Sequence, residues 1–340
     1  MYELGCSRKE VSRAGERLVD CFTQKKSYDD KDVQILHDWR MCHVYPLEQL
    51  TKYLEREAKS LNSNAIISSR IKRLPSIVEK LARFPSMQLG RMQDLGGCRA
   101  IVDNIEQVYL IKEEILSLTF KHQLHKIHDY ISETKDSGYR SLHIVHSFQN
   151  QKYPDLNGLK IEMQIRTAIQ HSWATAVEMV GIFRRESLKS SMGDARWLRF
   201  FILVSELFYR IESKDPTLNK SHNAISDELK LLSKELNVTS VLNAFSQIAD
   251  HITKSKLYNS GYCVIVVDTK KGTISVTGFS NQMIKKASEF YIKAEKKCAE
   301  NTNQVAAMVS VNSINDLKAA YPAFFLDTKT FLNNLSRFII

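Results

Sequence analysis

The chain has 340 residues, 43% of them hydrophobic and 25% charged, which describes a soluble globular protein of one large domain or two ordinary ones. No apolar run reaches the ~18 residues of a membrane span, and charges stand where a signal peptide needs an apolar core, so the expected place is the cytoplasm and no membrane partner is expected. The net charge of +10 is uneven: residues 251–340 carry 12 Lys/Arg against 6 Asp/Glu, an excess that suits nucleic acid or an acidic surface, or solubility alone.

Six cysteines, Cys6, Cys21, Cys42, Cys98, Cys263 and Cys298, lie far apart without a C-x-x-C pair, which argues against zinc and for free thiols. Val11, Ala14, Leu18, Cys21 and Phe22 recur at helical spacing, so a helix opens the chain over 8–25. A second helical region runs over 32–61, and Pro46 marks a fresh helix start inside it, because proline fits a first turn and breaks an interior one. His37-Asp38 and His128-Asp129 are H-D pairs of the kind metal phosphohydrolases use, but nothing upstream offers the larger helical domain with further ligands.

Residues 65–69 read as a short strand that leads into a helix starting near Pro75. Arg70 and Lys72, two apart on extended chain, share a face; Ser76 and Lys80, four apart, share a face of the helix. Three cations and a hydroxyl near a helix N-terminus make a plausible triphosphate cradle. Asp94 then precedes Gly96-Gly97 at the mouth of the strand Ala100-Ile101-Val102, which is a common metal-site arrangement and also a common capped turn.

The stretch from Tyr130 to Thr167 is the richest in chemistry. Gly138 permits a tight turn, and alternation then sends Tyr139, Ser141 and His143 to one face. Alternation over 162–166 puts Glu162, Gln164 and Arg166 on one face and Met163 and Ile165 in the core. Two such strands present an aromatic ring, a hydroxyl, an imidazole, a carboxylate, an amide and a guanidinium to common space, a mixture that suits a nucleotide with a metal. An amphipathic hairpin with a solvated polar face is the plainer alternative.

Helices follow over 168–183 and 196–211, the second with an apolar stripe of Trp197, Phe200, Phe201, Val204 and Phe208 that reads as core packing. Ser213-Lys214-Asp215-Pro216 is a turn and a candidate boundary. Two further helices, about 221–236 and 239–256, form an arm or linker. Beyond 261 the pattern is a hairpin (262–267 and 273–277), a lysine-rich helix over 280–300, a strand over 305–311 and a helix over 314–320, a ββαβα unit, followed by a last helix from Asp327.

Four blocks carry a family resemblance. Arg70-x-Lys72-x-x-x-Ser76-Ile77-x-x-Lys80, Asp94-x-x-Gly97-x-Arg99, Gly138-Tyr139-Arg140-Ser141-Leu142-His143 and Glu162-x-Gln164-Ile165-Arg166-Thr167, in this order over residues 65–182, resemble the synthetase domain of the RelA/SpoT family. The resemblance implies an α/β (α+β) fold like that of nucleotidyltransferases, with a mixed sheet flanked by helices, and transfer of the β,γ-pyrophosphate of ATP to a ribose 3′-hydroxyl. Carried over by motif, Arg70 and Arg99 sandwich the adenine of ATP, and Lys72, Ser76 and Lys80 hold its phosphates. Asp94 and Glu162 bind Mg²⁺, with Glu162 also a candidate base, while Tyr139 stacks on the acceptor's base. His143 lies near the acceptor's ribose or phosphate, Ser141 belongs to the same acceptor loop, and Gln164 and Arg166 form the site wall.

The whole layout resembles CapRel-type fused toxin–antitoxins: a catalytic domain over 1–216, a helical linker over 217–260 and a regulatory domain over 261–340. That resemblance implies pyrophosphorylation of the tRNA 3′-CCA end, a C-terminal plug of the ATP site, and release by a phage structural protein. The plug is expected at Tyr321-x-x-Phe324, where a second tyrosine would otherwise stand. A guanine-alarmone synthetase acting on GDP or GTP is the alternative, and a non-catalytic RNA-binding module a further one. The acceptor is not legible, since Tyr139 can stack on any purine, and neither is the oligomeric state.

Overall fold

The protein is described by a computed structural model that covers residues 5–117, 122–184, 193–213, 222–236, 238–239, 242, 262–268, 273–300, 304–310 and 329–339. Three helices open it: α1 (Arg8–Thr23), α2 (Asp30–Cys42) and α3 (Val44–Leu61). Ser7 and Glu10 close a reciprocal capping box at the head of α1, and the Asp29 carboxylate accepts from the Lys31 amide at the head of α2. Pro46 stands in the first turn of α3, the place its missing N–H allows.

A five-stranded sheet follows, in the order β1-β2-β5-β4-β3, from β1 (Ile66–Ile71), β2 (Gly96–Val102), β3 (Gln123–Asp129), β4 (Leu142–Ser147) and β5 (Lys160–Thr167). Only β2 and β5 run parallel; every other neighbouring pair is antiparallel, so the sheet is mixed as expected. Helix α4 (Leu74–Arg83) lies between β1 and β2, and α5 (Ile105–Ser117) between β2 and β3. One sheet face supplies Cys98, Ala100, Met163, Ile165 and Ile144, all buried against Leu50 and Leu54 of α3 in the main core. With period-two geometry the polar partners of those residues are forced onto the opposite face, where the site is built.

Helices α6 (Ala168–Arg184), α7 (Ala195–Ser213) and α8 (His222–Glu235) form a second core with Trp173, Phe200, Phe201, Phe208 and Leu229. The stripe of α7 is core packing, as its spacing suggests. Residues 222–235 are packed against α7 instead of standing off as an arm, because Leu229 has an apolar face to bury.

The C-terminal strands β6 (Tyr262–Asp268), β7 (Thr273–Phe279) and β8 (Gln304–Ser310) make a separate antiparallel sheet in the order β7-β6-β8, backed by α9 (Ile284–Glu300). The expected helix over 314–320 lies outside the described residues, and the final helix, α10 (Lys329–Ile339), packs away from this sheet, against α6 and α8. Its Phe331, Leu335 and Phe338 are buried among α6, α7 and α8.

Candidate functional site

The polar face of the sheet is assembled by register. Arg70 pairs with Gly97 and Ser68 with Arg99 across β1 and β2, while Gly97 aligns with Glu162 and Arg99 with Gln164 on β5. On β4, His143 faces Gln164 and Val145 faces Glu162. Arg70, Arg99, Glu162, Gln164, Arg166 and His143 therefore share one face, the set expected from the alternation.

At the mouth of β2, Asp94 accepts from Lys72 Nζ at 3.0 Å and from Lys80 Nζ at 2.7 Å, both through Oδ2. Burial opposes its charge, but the two ammonium groups outweigh that and hold its pKa below the usual carboxylate range. Burial also lowers the pKa of Lys72, against the pull of Asp94. The other oxygen, Oδ1, is buried without a hydrogen-bond partner. Ser76, one turn ahead of Lys80 on α4, accepts from Arg73 Nε at 2.8 Å.

Glu162 is held from two sides: Oε1 meets His143 Nδ1 at 2.9 Å, and Oε2 accepts from Gln164 Nε2 at 2.7 Å. The imidazole is in turn bonded through Nε2 to the Tyr139 hydroxyl at 2.9 Å. Burial works against both charges, yet Tyr139 and Glu162 raise the His143 pKa and His143 lowers that of Glu162. Asp94 is near enough to oppose the charge on Glu162. Two adjacent carboxylates, one with an orphaned buried oxygen, fit a hard cation that takes oxygen ligands. Among the described residues no cluster of three or more His, Cys, Asp or Glu forms a complete protein cage. Magnesium, which commonly keeps waters and substrate oxygens in its shell, does not need one.

The same sheet face carries three arginines, Arg70, Arg99 and Arg166. Arg99 donates to Ser68 Oγ at 3.2 Å and is pushed well below its usual pKa by burial and then by Arg166 and Arg70. Arg166, also buried, meets His171 Nδ1 at 2.6 Å. Three guanidinium groups that repel each other in a buried setting are matched by an anionic or π-rich ligand.

The acceptor loop is placed differently from a simple strand. β4 begins at Leu142; the turn lies at 135–138, closed by Gly138 N–H on Lys135 O with Gly138 at φ +83°, and residues 139–141 are irregular backbone and not an extension of the strand. Ser141 consequently points inward, fully buried, with its hydroxyl directed at the carbonyls of Leu142 and Ile165 and not at the site. The Tyr139 ring is 5% exposed, packed beside Trp173 and Tyr130, and reaches the site through its hydroxyl. The sequence reading missed Tyr130, whose ring stacks on His128 with centroids 5.3 Å apart, and Lys135, whose ammonium sits 4.1 Å from the Tyr130 centroid and 5.2 Å from that of Tyr139. The signal was present in the run Tyr130 to Lys135, just ahead of the glycine turn.

The loop is fastened to α7. Arg140 donates to Ile131 O and Glu206 and lies 4.0 Å over the Tyr209 ring, while Ser205 Oγ donates to Gly138 O. A Cβ on Gly138 would come within 3.1 Å of Ser205 Cβ and 3.2 Å of Ile202 Cα. Gly138→Ala therefore combines positive-φ strain with crowding against backbone and should cost about 1–3 kcal/mol. A denaturant midpoint unchanged from wild type would show that the turn relaxes freely.

The His143–Glu162 pair also sets a pH dependence. A raised histidine pKa contributes stability that is full below its unfolded value of 6.5 and is lost as pH rises through the higher folded value. A lowered glutamate pKa contributes stability that is full above its unfolded value of 4.5 and is lost as pH falls through the lower folded value. The pair is thus worth most between about pH 4.5 and 6.5. The stability gap between wild type and His143→Gln should be widest at pH 6 and narrow by pH 9; a gap that widens with pH would contradict this.

Tyr321 and Phe324 lie outside the described residues. No helix among the described residues is long and apolar enough to cross a membrane.

Residues 69–183, the segment that carries this site, match the family model described as "Region found in RelA / SpoT proteins". The chain is 33% identical to the GTP pyrophosphokinase YjbM of Bacillus subtilis over 114 residues, 32% of this chain and 52% of that protein. It is 27% identical to the GTP pyrophosphokinase YwaC of the same organism over 158 residues, 42% of this chain and 73% of that protein. The chain thus spans about half the length of the first of these relatives. Among solved structures it is similar to the small alarmone synthetase 1 of Bacillus subtilis bound to its product pppGpp, with a TM-score of 0.44 and 25% identity over 52% of this chain and 93% of that one.

Proposed function

We propose that this chain is a pyrophosphokinase that moves the β,γ-pyrophosphate of ATP onto a ribose 3′-hydroxyl. The observation that carries the reading is the sheet face bearing Arg70, Arg99 and Glu162 together with the Asp94–Lys72–Lys80 cluster at the mouth of β2, inside the segment that matches the RelA/SpoT region. Arg70 and Arg99 hold the donor base between planar cations, and Lys72, Ser76 and Lys80 hold its phosphates. Asp94 and Glu162 hold Mg²⁺, which when bound neutralises charge on the transferred group and its bridging oxygens. Asp94 must exchange at least part of its contact with the two lysines for this, which frees both ammonium groups for phosphate. Glu162, oriented by His143 and Gln164, accepts the proton of the attacking hydroxyl.

Tyr139 lies with the acceptor, and its ring must turn out of its aromatic packing, or offer its edge, to meet a base. Within this reading the chain is a self-inhibited toxin–antitoxin acting on the tRNA 3′-CCA end, with the C-terminal module as its restraint and a phage structural protein as the trigger. What supports the restraint is the docking of α9 against the head of α4. A second reading, a guanine nucleotide as acceptor, is favoured by the relatives, which are GTP pyrophosphokinases.

The test is incubation of the full chain with γ-labelled ATP and either GDP and GTP or total tRNA. Label on tRNA supports the toxin reading, and label on guanine nucleotide supports an alarmone synthetase. Label on neither, with ATP left intact and no gain on loosening the C-terminal module, overturns the proposal.

A further inference from the structure

Helix α4 starts without a cap of its own. Arg73, its N-cap, makes no side-chain capping bond, and Pro75 in the first turn has no N–H to offer. The Leu74 amide is instead satisfied from 221 residues away, by Glu295 Oε1 at 2.6 Å. Glu295 belongs to α9 of the C-terminal module and is 3% exposed. Its other oxygen meets Arg40 Nη1 of α2 at 3.1 Å, and Arg40 Nη2 donates to the Tyr291 hydroxyl at 2.9 Å, which is itself bonded to Glu295. Arg40, Tyr291 and Glu295 are all buried and bonded to one another, a cluster joining three elements in which only Arg40 Nε is left without a partner among these groups. At the rim, Lys296 pairs with Asp30.

The position of this carboxylate matters because of what surrounds it. The head of a helix is a natural place for an anion, since its amides and dipole favour negative charge. Here the same first turn holds Ser76, and Lys80 follows one turn on, the two α4 groups assigned to donor phosphate. The module also roofs a cavity of about 80 Å³ between Arg70 on one side and Tyr262, Ile284 and Tyr291 on the other. The phosphate end and the base end of the donor site thus both border the docked module.

We propose that Glu295 is an internal stand-in for a phosphate: docked at the head of α4, it competes with the donor nucleotide's phosphates, so that ATP binding and docking of the C-terminal module oppose each other. The proposal rests on the reading of α4 as the donor-phosphate cradle. Two anions at one helix head repel, and the Leu74 amide can serve only one of them. Arg40 holds the carboxylate in place when docked and loses its Glu295 and Tyr291 partners together when α9 leaves, which makes the contact two-state and not gradual. By linkage, whatever pulls α9 away raises donor affinity, and donor binding loosens α9 to the same degree.

The experiment is calorimetric binding of a non-hydrolysable ATP analogue with Mg²⁺ to the full-length chain and to Glu295→Gln, with hydrogen exchange read over 284–300. The variant should bind about tenfold more tightly, within the range usual for coupled sites. Saturating wild type with the analogue should raise exchange in α9. Because Glu295→Gln takes the carboxylate from beside the buried Arg40, the double variant Arg40→Met/Glu295→Met serves as the companion that removes both charges; it too should bind the analogue more tightly. Equal or weaker binding by both variants, with wild type binding normally, would show that Glu295 only caps the helix and would overturn the proposal alone. Failure of all three proteins to bind the analogue would overturn the donor-site reading and this proposal with it.

Discussion

Asp94→Asn should cut pyrophosphate transfer by about 10²–10³-fold or more, the scale on which removing one preorganised charge-stabilising group acts. The argument is electrostatic. Asp94 is the partner of two lysines and lies near enough to Glu162 to oppose its charge. An amide at position 94 keeps the shape and loses the charge, so the cation site weakens and Lys72 is left half-buried beside nothing that offsets its burial. Glu162→Gln should act as strongly by a different route: its contact with His143 loses charge assistance, and the proton acceptor for the attacking hydroxyl is gone. Turnover under saturating Mg²⁺ and ATP checks both, with the melting curve as a control for folding. The two losses should be far from additive, because the residues act on the same metal and the same transferred group. Full turnover in either variant would remove the proposed centre.

What the sequence made legible follows from period. The alternation over 162–166 predicts which side chains share a face, and the register of β5 with β2 and β4 places Glu162 and Gln164 where that alternation sends them. Cation spacing on β1 and α4 likewise brings Lys72 and Lys80 to one carboxylate. The same logic fails just upstream. Alternation assumes extended backbone, and Gly138 at positive φ ends that assumption, so Ser141 turns into the sheet and Tyr139 reaches the site only through its hydroxyl. Residues 103–129 stay unassigned in the sequence reading. α5 has apolar residues on more than one side, and β3 is a polar edge strand with an irregular register at Leu124 to Lys126, so neither shows a clean period. Contacts across hundreds of residues leave no local mark at all: a glutamate in a lysine-rich helix gives no hint that it caps α4.

The return of α10 is the other long-range feature, and it carries the largest expected effect on stability. Phe331 and Leu335 are fully buried, with Phe331 set against Phe201 and Phe208 at ring centroid separations of 6.2 and 5.6 Å. Phe331→Ala should cost about 3–5 kcal/mol, the usual range for emptying a packed aromatic site. That is a large share of the ~5–15 kcal/mol that holds an ordinary protein folded. The loss should be felt where the acceptor loop is anchored, because α7 carries both Phe208 of this core and Ser205 and Glu206 that hold Gly138 and Arg140. It follows that cutting the chain after residue 260 does more than remove a restraint. It strips Phe331, Leu335 and Phe338 from the second core and exposes the α6–α7–α8 surface they cover, so the shortened protein should be aggregation-prone. Release of the C-terminal sheet is therefore better tested by substitutions at Arg40 and Glu295 than by truncation. A melting temperature for Phe331→Ala within a degree of wild type, or a stable, soluble 1–260 fragment with a cooperative transition, would show that α10 is dispensable to this core.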